Sequence, residues 1–348
     1  MEAHAWHLAR GLAARGHAVT LFAAGGSEAG VPLVPLTPEP YEARFPWALW
    51  RDAPALHAHL DAAHAAALAR IHAEGFDVVH NAGLHRFPPR HARARRQPTV
   101  SAMHVPPFDA LHRAIQGSAA PWHLVAVPSR RQRARWWNEP PPEARMVPNG
   151  IDLALWPFRA QGDGSAVWLG RIVPNKGTGL AARAARIAGV PLLVLGAVED
   201  RAYFEAEVAP HLGGGVRYGG HLEGAALAEA LGRASALLFT PMWDEPFGLA
   251  AIEAMATGLP VAAFDNGAVR EVVGPCGAYA PAGDAEALAG ALRRAMGMSR
   301  RAARARVEAR FTLDAMIAGY EACYREAVAR RGEPWPERRY SARELAPL

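Results

Sequence analysis

Two glutamates, Glu245 and Glu253, stand with seven residues between them in the run FTPMWDEPFGLAAIEAMATGLPV, Phe239 to Val261. The run reads as a strand, an acidic loop, a helix from about Gly248, a glycine-proline stop and a further strand. Glu245 then lies on the loop and Glu253 about two turns into the helix, so the two carboxylates could face one cleft at different depths. The backbone N–H groups of Phe247, Gly248 and Leu249 fall at the helix N-terminus, an anion site suited to a diphosphate. Gly248 lets the backbone approach such a ligand closely. Taken alone, a helix-capping carboxylate and a surface glutamate explain the pair about equally well.

A second constellation is VWLGRIVPNKG, Val167 to Gly177. Arg171 and Lys176 follow a strand, at the carboxyl end where doubly wound sheets bind ligands. A guanidinium and an ammonium there could neutralise a departing diphosphate. Two solvated cations are the alternative reading. It loses ground because both sit in a turn rich in Gly, Pro and Asn rather than along a helix face.

The elements that must carry these residues are legible as short apolar runs alternating with helical patterns. Strands are expected at 19–22, 76–80, 99–103, 124–127 and 146–148. In the second half they fall at 166–169, 191–195, 216–218, 236–239 and 260–264. Runs apolar on both faces and separated by helices predict parallel sheets in a doubly wound α/β architecture. Turn and linker residues put a domain junction at Pro148–Gly164. The chain opens on a helix, Glu2 to Arg15, capped by Gly16. No strand precedes it, although the first strand of such a domain is usually central, and its neighbours would otherwise bury open edges. A final helix spans Thr312 to Arg330, after an arginine-rich one. The segment beyond Gly332 reads as an irregular arm or tail.

The bulk numbers agree with two soluble domains: 348 residues, 51% hydrophobic and 20% charged. A net charge of +5 favours anionic partners, though scattered arginines explain it as well. Cys276 and Cys323 lack metal or disulfide spacing, and a reducing compartment is compatible with them. No run is long and apolar enough for a membrane span, and the first residues do not form a signal peptide. No metal cluster is visible. The basic runs Arg86–Arg96 and Arg130–Arg135 would suit phosphorylated or lipid-linked acceptors or a membrane surface, and plain solubility accounts for them slightly better. Nucleic acid is not an expected partner, because no recognition motif accompanies the charge. Trp47 and Trp50 read as buried loop anchors rather than an acceptor wall.

Together these motifs resemble the retaining family-4 glycosyltransferases of the GT-B fold. Glu245 to Glu253 matches that family's E-x7-E motif, and Val167 to Gly177 its G-R-x-x-x-x-K-G segment. Met146 to Asp152 resembles its V-x-P-N-G-V-D linker, Gly16 to Thr20 its early G-H-x-V entry, and Asn266 to Val272 the segment after the donor site. The match runs in order along nearly the whole chain. It implies two Rossmann-like doubly wound domains facing across a cleft: 1–152 on the acceptor side, 153–311 on the donor side, and 312–348 as a C-terminal helix and tail packing back toward the first. It implies that Glu245 holds the donor-sugar hydroxyls and Glu253 the ribose hydroxyls. Arg171 and Lys176 would hold the diphosphate, helped by amides at Phe247, Gly248 and Leu249, while Tyr218 to His221 line the base. His104, after Met103, occupies the position of a family histidine facing the sugar. His80 and Asn81 end a strand at the same sheet edge and are the further acceptor-side candidates.

The implied activity is transfer of a hexose from a nucleotide diphosphate sugar, a uridine diphosphate sugar by preference, to a hydroxyl of a sugar, lipid-linked or small-molecule acceptor. It proceeds with retention, without a metal or other cofactor, in the cytoplasm or at the inner membrane face. The rival readings are a nucleotide-sugar epimerase, which would need no acceptor, and a nucleotide-sugar-binding relic, which would transfer nothing. A nicotinamide dehydrogenase would need a G-x-G-x-x-G fingerprint after a strand, and none is found. One departure from the family pattern is the first strand and Gly-Gly loop: Met1 to His4 matches only the end of that motif. In-frame DNA upstream of Met1 is therefore expected to encode one apolar strand and a Gly-Gly loop, which sequencing of the locus checks.

Overall fold

Apolar runs buried on both faces can satisfy their backbone only by pairing side by side, with helices covering the sheet. The computed structural model, which describes residues 2–28, 30–45 and 54–336, has that arrangement. Its strands are β1 (Leu21–Ala23), β2 (Leu33–Pro35), β3 (Val79–Asn81), β4 (Thr99–Ala102), β5 (His123–Val127), β6 (Ala144–Met146), β7 (Ala166–Leu169), β8 (Leu192–Leu195), β9 (Val216–Tyr218), β10 (Ala236–Phe239), β11 (Val261–Phe264) and β12 (Gly277–Ala280). Every strand pair is parallel. The expectations at Trp47 and Trp50, and for the tail from 337 onward, lie outside the described residues.

Contacts divide the chain into two units. The first comprises Met1–Val127, Arg133–Val147 and Ile317–Leu348; the second comprises Pro128–Gln132 and Pro148–Met316. The first holds a four-stranded sheet in the order β3-β4-β5-β6 and a separate pair, β1-β2. The helix Glu2–Ala14 buries Leu8, Ala9 and Leu12, the apolar stripe that its sequence spacing announces.

The second unit holds a six-stranded sheet in the order β12-β11-β10-β7-β8-β9. From β7 the chain winds outward through β8 and β9, then returns to β10 and winds the other way through β11 and β12. The connections after the neighbouring strands β7 and β10 therefore diverge and leave a crevice at their carboxyl ends, where open α/β sheets take ligands. Two strands escape recognition by pattern. Leu33–Pro35 is short and ends on proline. Gly277–Ala280 lacks β-branched residues, and its place comes from pairing with β11.

The arginine-rich helix Arg300–Arg310 has a structural task. The Arg300 guanidinium donates to the carbonyls of Arg159 (2.8 Å), Ala234 (2.7 Å) and Gly232 (3.0 Å). Arg304 reaches the carbonyls of Trp156 and Ala256, and Arg306 those of Val272 and Glu271. Several of these oxygens close the helices Gly224–Arg233, Leu249–Thr257 and Val269–Val273. The last carbonyls of a helix have no partner within it and carry partial negative charge, so a cation suits them. Replacing Arg300 by Met is expected to lower unfolding free energy by about 1–3 kcal/mol, the cost of leaving part-buried acceptors unpaired. A shift of the urea midpoint at unchanged slope checks it.

Candidate active site

The crevice is built from the loops after β7 and β10, which are stitched together below the surface. Trp168 of β7 donates its indole N–H to Thr240 Oγ1 (2.8 Å), and that hydroxyl donates onward to the carbonyl of Lys176 (2.8 Å). Met242 N–H bonds the carbonyl of Asn175 (2.9 Å). Gly177 has φ +67°, and a Cβ there would stand 2.5 Å from the Thr240 carbonyl, so only glycine allows the loops to lie this close.

These loops bring Lys176 and Glu245 together. Lys176 Nζ lies 2.9 Å from Glu245 Oε2, with side-chain exposures of 20% and 10%. Trp243 Nε1 donates to the same oxygen at 2.8 Å, and the Lys176 ammonium stands 4.9 Å from the centre of the Trp243 ring. Among the described residues Glu245 Oε1 accepts no hydrogen bond. The neighbours of Glu245 are tied down as well. Asp244 takes both Arg131 Nε and an Arg131 terminal nitrogen at 2.8 Å. The carbonyl of Pro246 accepts from Ser129 Oγ at 2.7 Å. From the loop after β11, Ala268 N–H bonds the Glu245 carbonyl at 2.8 Å.

The helix following Glu245 spans Leu249–Thr257, with Gly248 at its N-cap in a left-handed conformation, φ +100°. The backbone N–H groups of Gly248 and Leu249 have no hydrogen-bond partner among the described residues, so they remain available to an anion. The Phe247 side chain is core, set edge-on against Phe311 at 5.4 Å. Glu253 lies on this helix between buried Ile252 and Ala254 and keeps some exposure. Burial pushes its carboxyl up from 4.5 to about 7, with no cation opposing the shift.

Arg171 also leaves the carboxyl end of β7, but it is exposed and paired with Glu199 of the loop after β8 (2.9 Å). Gly196 makes that neighbourhood possible: it has φ +141°, and a Cβ on it would collide with the Gly170 carbonyl at 1.7 Å. Tyr218, at the end of β9, donates its hydroxyl to the Gly196 carbonyl (2.9 Å) and sets its ring against Phe204. His221 is exposed and paired with Glu223 at 2.9 Å.

The four residues named for the acceptor side fall in the first unit and differ in what they can offer. Met103 corrects the sequence expectation: it is fully buried in a cluster with Leu111, Ile115, Val127 and Trp136, so its side chain faces the core. Asn81 is buried too, its amide donating to Ser101 Oγ and its carbonyl oxygen accepting from Gly83 N–H. His80 receives or gives a hydrogen bond at Nδ1 with the Tyr324 hydroxyl (2.9 Å). His104 packs against His4, ring centres 4.3 Å apart, and His4 in turn faces His80. The Nε2 atoms of His4, His80 and His104 are buried without a hydrogen-bond partner. Desolvation lowers the pKa of His4 to about 4, that of His80 to about 3 and that of His104 well below its usual value, so all three rings are neutral near pH 7.

Sequence reasoning assigned no role to Trp243 or His4. Trp243 stood inside the quoted motif, and an aromatic N–H two residues before an acidic site residue is the signal that could have singled it out. His4 carries no such signal, since only the fold brings the N-terminal helix against His104. Much of the basic charge proves to be internal. Arg86 binds Asp61 through two bonds of 2.7 Å, Arg93 donates to the carbonyls of Ala119 and Pro336, and Arg131 holds Asp244. No helix of the described residues is long and apolar enough to cross a membrane. No group of three or more His, Cys, Asp or Glu among them could hold a metal ion.

Comparison with known proteins gives two adjoining family matches. The model described as Glycosyltransferase Family 4 matches residues 1–155, and that described as Glycosyl transferases group 1 matches residues 164–297. The chain is 28% identical over 319 residues to the phosphatidyl-myo-inositol mannosyltransferase of Mycolicibacterium smegmatis, covering 84% of this chain and 80% of that protein. Among solved structures it resembles the sucrose-phosphate synthase of Thermosynechococcus elongatus, with TM-score 0.74, 22% identity and 92% of each chain covered. It also resembles Anabaena HepE in complex with UDP-glucose, with TM-score 0.70 and 17% identity, covering 92% of this chain and 95% of that one.

The raised Glu253 pKa makes stability depend on pH. Unfolded, the group ionises near 4.5; folded, it holds its proton until about 7. The folded state thus binds the extra proton between these values, and stability falls as pH rises through that window. Between pH 5 and 8 the wild type is expected to lose roughly 1–3 kcal/mol relative to Glu253→Gln. Urea unfolding at a series of pH values checks this, and parallel curves for the two proteins would refute it.

Proposed function

The chain belongs to the family-4 glycosyltransferases of the GT-B fold, and from that premise we propose that it moves a hexose from a nucleotide diphosphate sugar to an acceptor hydroxyl, with retention at the anomeric carbon. The observation that carries this reading is the Lys176–Glu245 pair, 2.9 Å apart at the point where strand order reverses. The two charges neutralise each other. A diphosphate offers the ammonium a more highly charged partner, beside the free amides of Gly248 and Leu249.

In this reading the glycosidic C–O bond breaks with its electron pair going to the diphosphate oxygen. Lys176, the helix amides and Arg171, drawn from Glu199, stabilise the charge that develops there. The acceptor oxygen forms the new bond on the same face, and its proton passes to the departing diphosphate oxygen. Glu245 holds sugar hydroxyls through Oε1. Glu253 holds the ribose hydroxyls, which can bond a carboxyl in either protonation state. The base lies along the backbone from Tyr218 to His221.

The reading needs no metal or other cofactor, since fixed cations stand where the negative charge grows. A uridine diphosphate hexose is the favoured donor, in keeping with the UDP-glucose bound by HepE. The acceptor is a sugar, a lipid-linked compound or a small molecule. Arg95 and Arg133 remain exposed on the basic segments for peripheral contact with an anionic membrane.

Lys176→Ala is expected to lower kcat about a hundred- to a thousandfold. Arg171→Ala should cost only about tenfold, because its guanidinium is largely hydrated and shared with Glu199. Transfer from a panel of uridine diphosphate hexoses, with the anomeric configuration of the product read by NMR, checks both magnitude and stereochemistry. Undiminished turnover by Lys176→Ala rejects the assignment, and conversion of the donor sugar without any acceptor would mark an epimerase instead.

A further inference from the structure

Glu245 Oε2 is shared by two donors, the Lys176 ammonium at 2.9 Å and the Trp243 indole N–H at 2.8 Å. The same indole presents its ring to the ammonium at 4.9 Å. Trp243 therefore touches both members of the pair through different chemistry: its edge serves the carboxylate and its face serves the cation. We propose that Trp243 is a positioning residue that keeps Glu245 aimed at the donor sugar when Lys176 turns to the diphosphate. This rests on the function proposed above.

Ligand binding changes which of these groups is left unpaired. The part-buried carboxylate is satisfied by Lys176 and Trp243 together. Once the ammonium engages phosphate oxygens, Trp243 is the remaining donor to Oε2 among the described residues. A carboxylate with 10% side-chain exposure cannot exchange a lost partner for bulk water without moving. Held by the indole, it stays in place with Oε1 directed to sugar hydroxyls. The other charged groups close to this loop are already engaged. Asp244 is bound by Arg131, and the Glu271 carboxylate accepts from the backbone N–H groups of Arg130 and Arg131. From the loop after β11 the backbone N–H of Ala268 is bonded to Glu245, and it takes the carbonyl rather than the carboxylate.

Trp243→Phe separates the two roles, since it keeps an aromatic face for Lys176 and removes the N–H. The half-buried setting of Trp243 favours a folded variant, and thermal unfolding verifies that. Affinities for UDP-glucose and for UDP alone are then measured by calorimetry. UDP leaves the sugar space to water, which can hydrate Glu245, so its affinity should change less than about threefold. UDP-glucose, which demands a fixed carboxylate, should bind about tenfold more weakly, the effect of one hydrogen bond to a charged group.

In a Glu245→Ala background the same Trp243→Phe change should have no further effect on UDP-glucose, a non-additivity that mere loop packing would not produce. Trp243→Leu, which also removes the ring, should weaken UDP as well. Equal losses for both ligands in Trp243→Phe, or additive losses in the cycle, would overturn the inference while leaving the proposed transferase standing. A wild-type protein that binds neither ligand would defeat both.

Discussion

An ammonium and a carboxylate with little water around either must meet each other, because each alone would be costly to keep charged. In the second unit that requirement governs the local architecture. Lys176 arrives from β7 and Glu245 from β10, two strands that neighbour each other only because the sheet reverses its winding there. The Trp168–Thr240 hydrogen bond and the close pass of Gly177 bring the loops within reach. Asp244 and Pro246 are tied on either side of the glutamate. The site is thus assembled from backbone close approaches first and side-chain chemistry second. Three positions that tolerate no Cβ, Gly177, Gly196 and Gly267, lie in the loops around it.

Much of this was legible in the sequence. Strands β7, β9 and β10 fall at their expected bounds because each is a compact apolar run between turn residues. The helix after Glu245 begins where Gly248 was expected to open it. What the sequence could not supply was orientation. A strand buried on both faces gives no alternation, so nothing in the run Thr99 to Met103 says that Met103 turns into the core. Asn81 likewise looked available, and its amide is spent on Ser101 and Gly83. Lys176 and Glu245 were expected to serve one ligand, but their direct pairing, and the indole between them, depend on loop paths that no periodicity encodes.

Part of the basic charge is used within the chain. The net +5 and the arginine runs suggest a surface built to attract anions. Many of those guanidiniums instead close helices or bind carboxylates of the same chain, as Arg300, Arg304 and Arg306 do for three helix ends. Arginine suits this work because one planar group can serve several carbonyls at once while staying charged.

The three neutral imidazoles of His4, His80 and His104 give the first unit a sensitivity the second lacks. Each ring takes up a proton far more readily in the unfolded chain than in the fold, where its pKa is depressed. As acidity increases below the ordinary histidine range, the unfolded form gains protons that the packed rings refuse, and the balance tilts toward opening. His123, buried at the start of β5 with its pKa lowered to about 4, adds to the effect. Mild acid should therefore loosen the half of the chain that carries the N-terminal helix while the crevice-bearing half, whose Glu253 prefers its proton, is steadied by the same change.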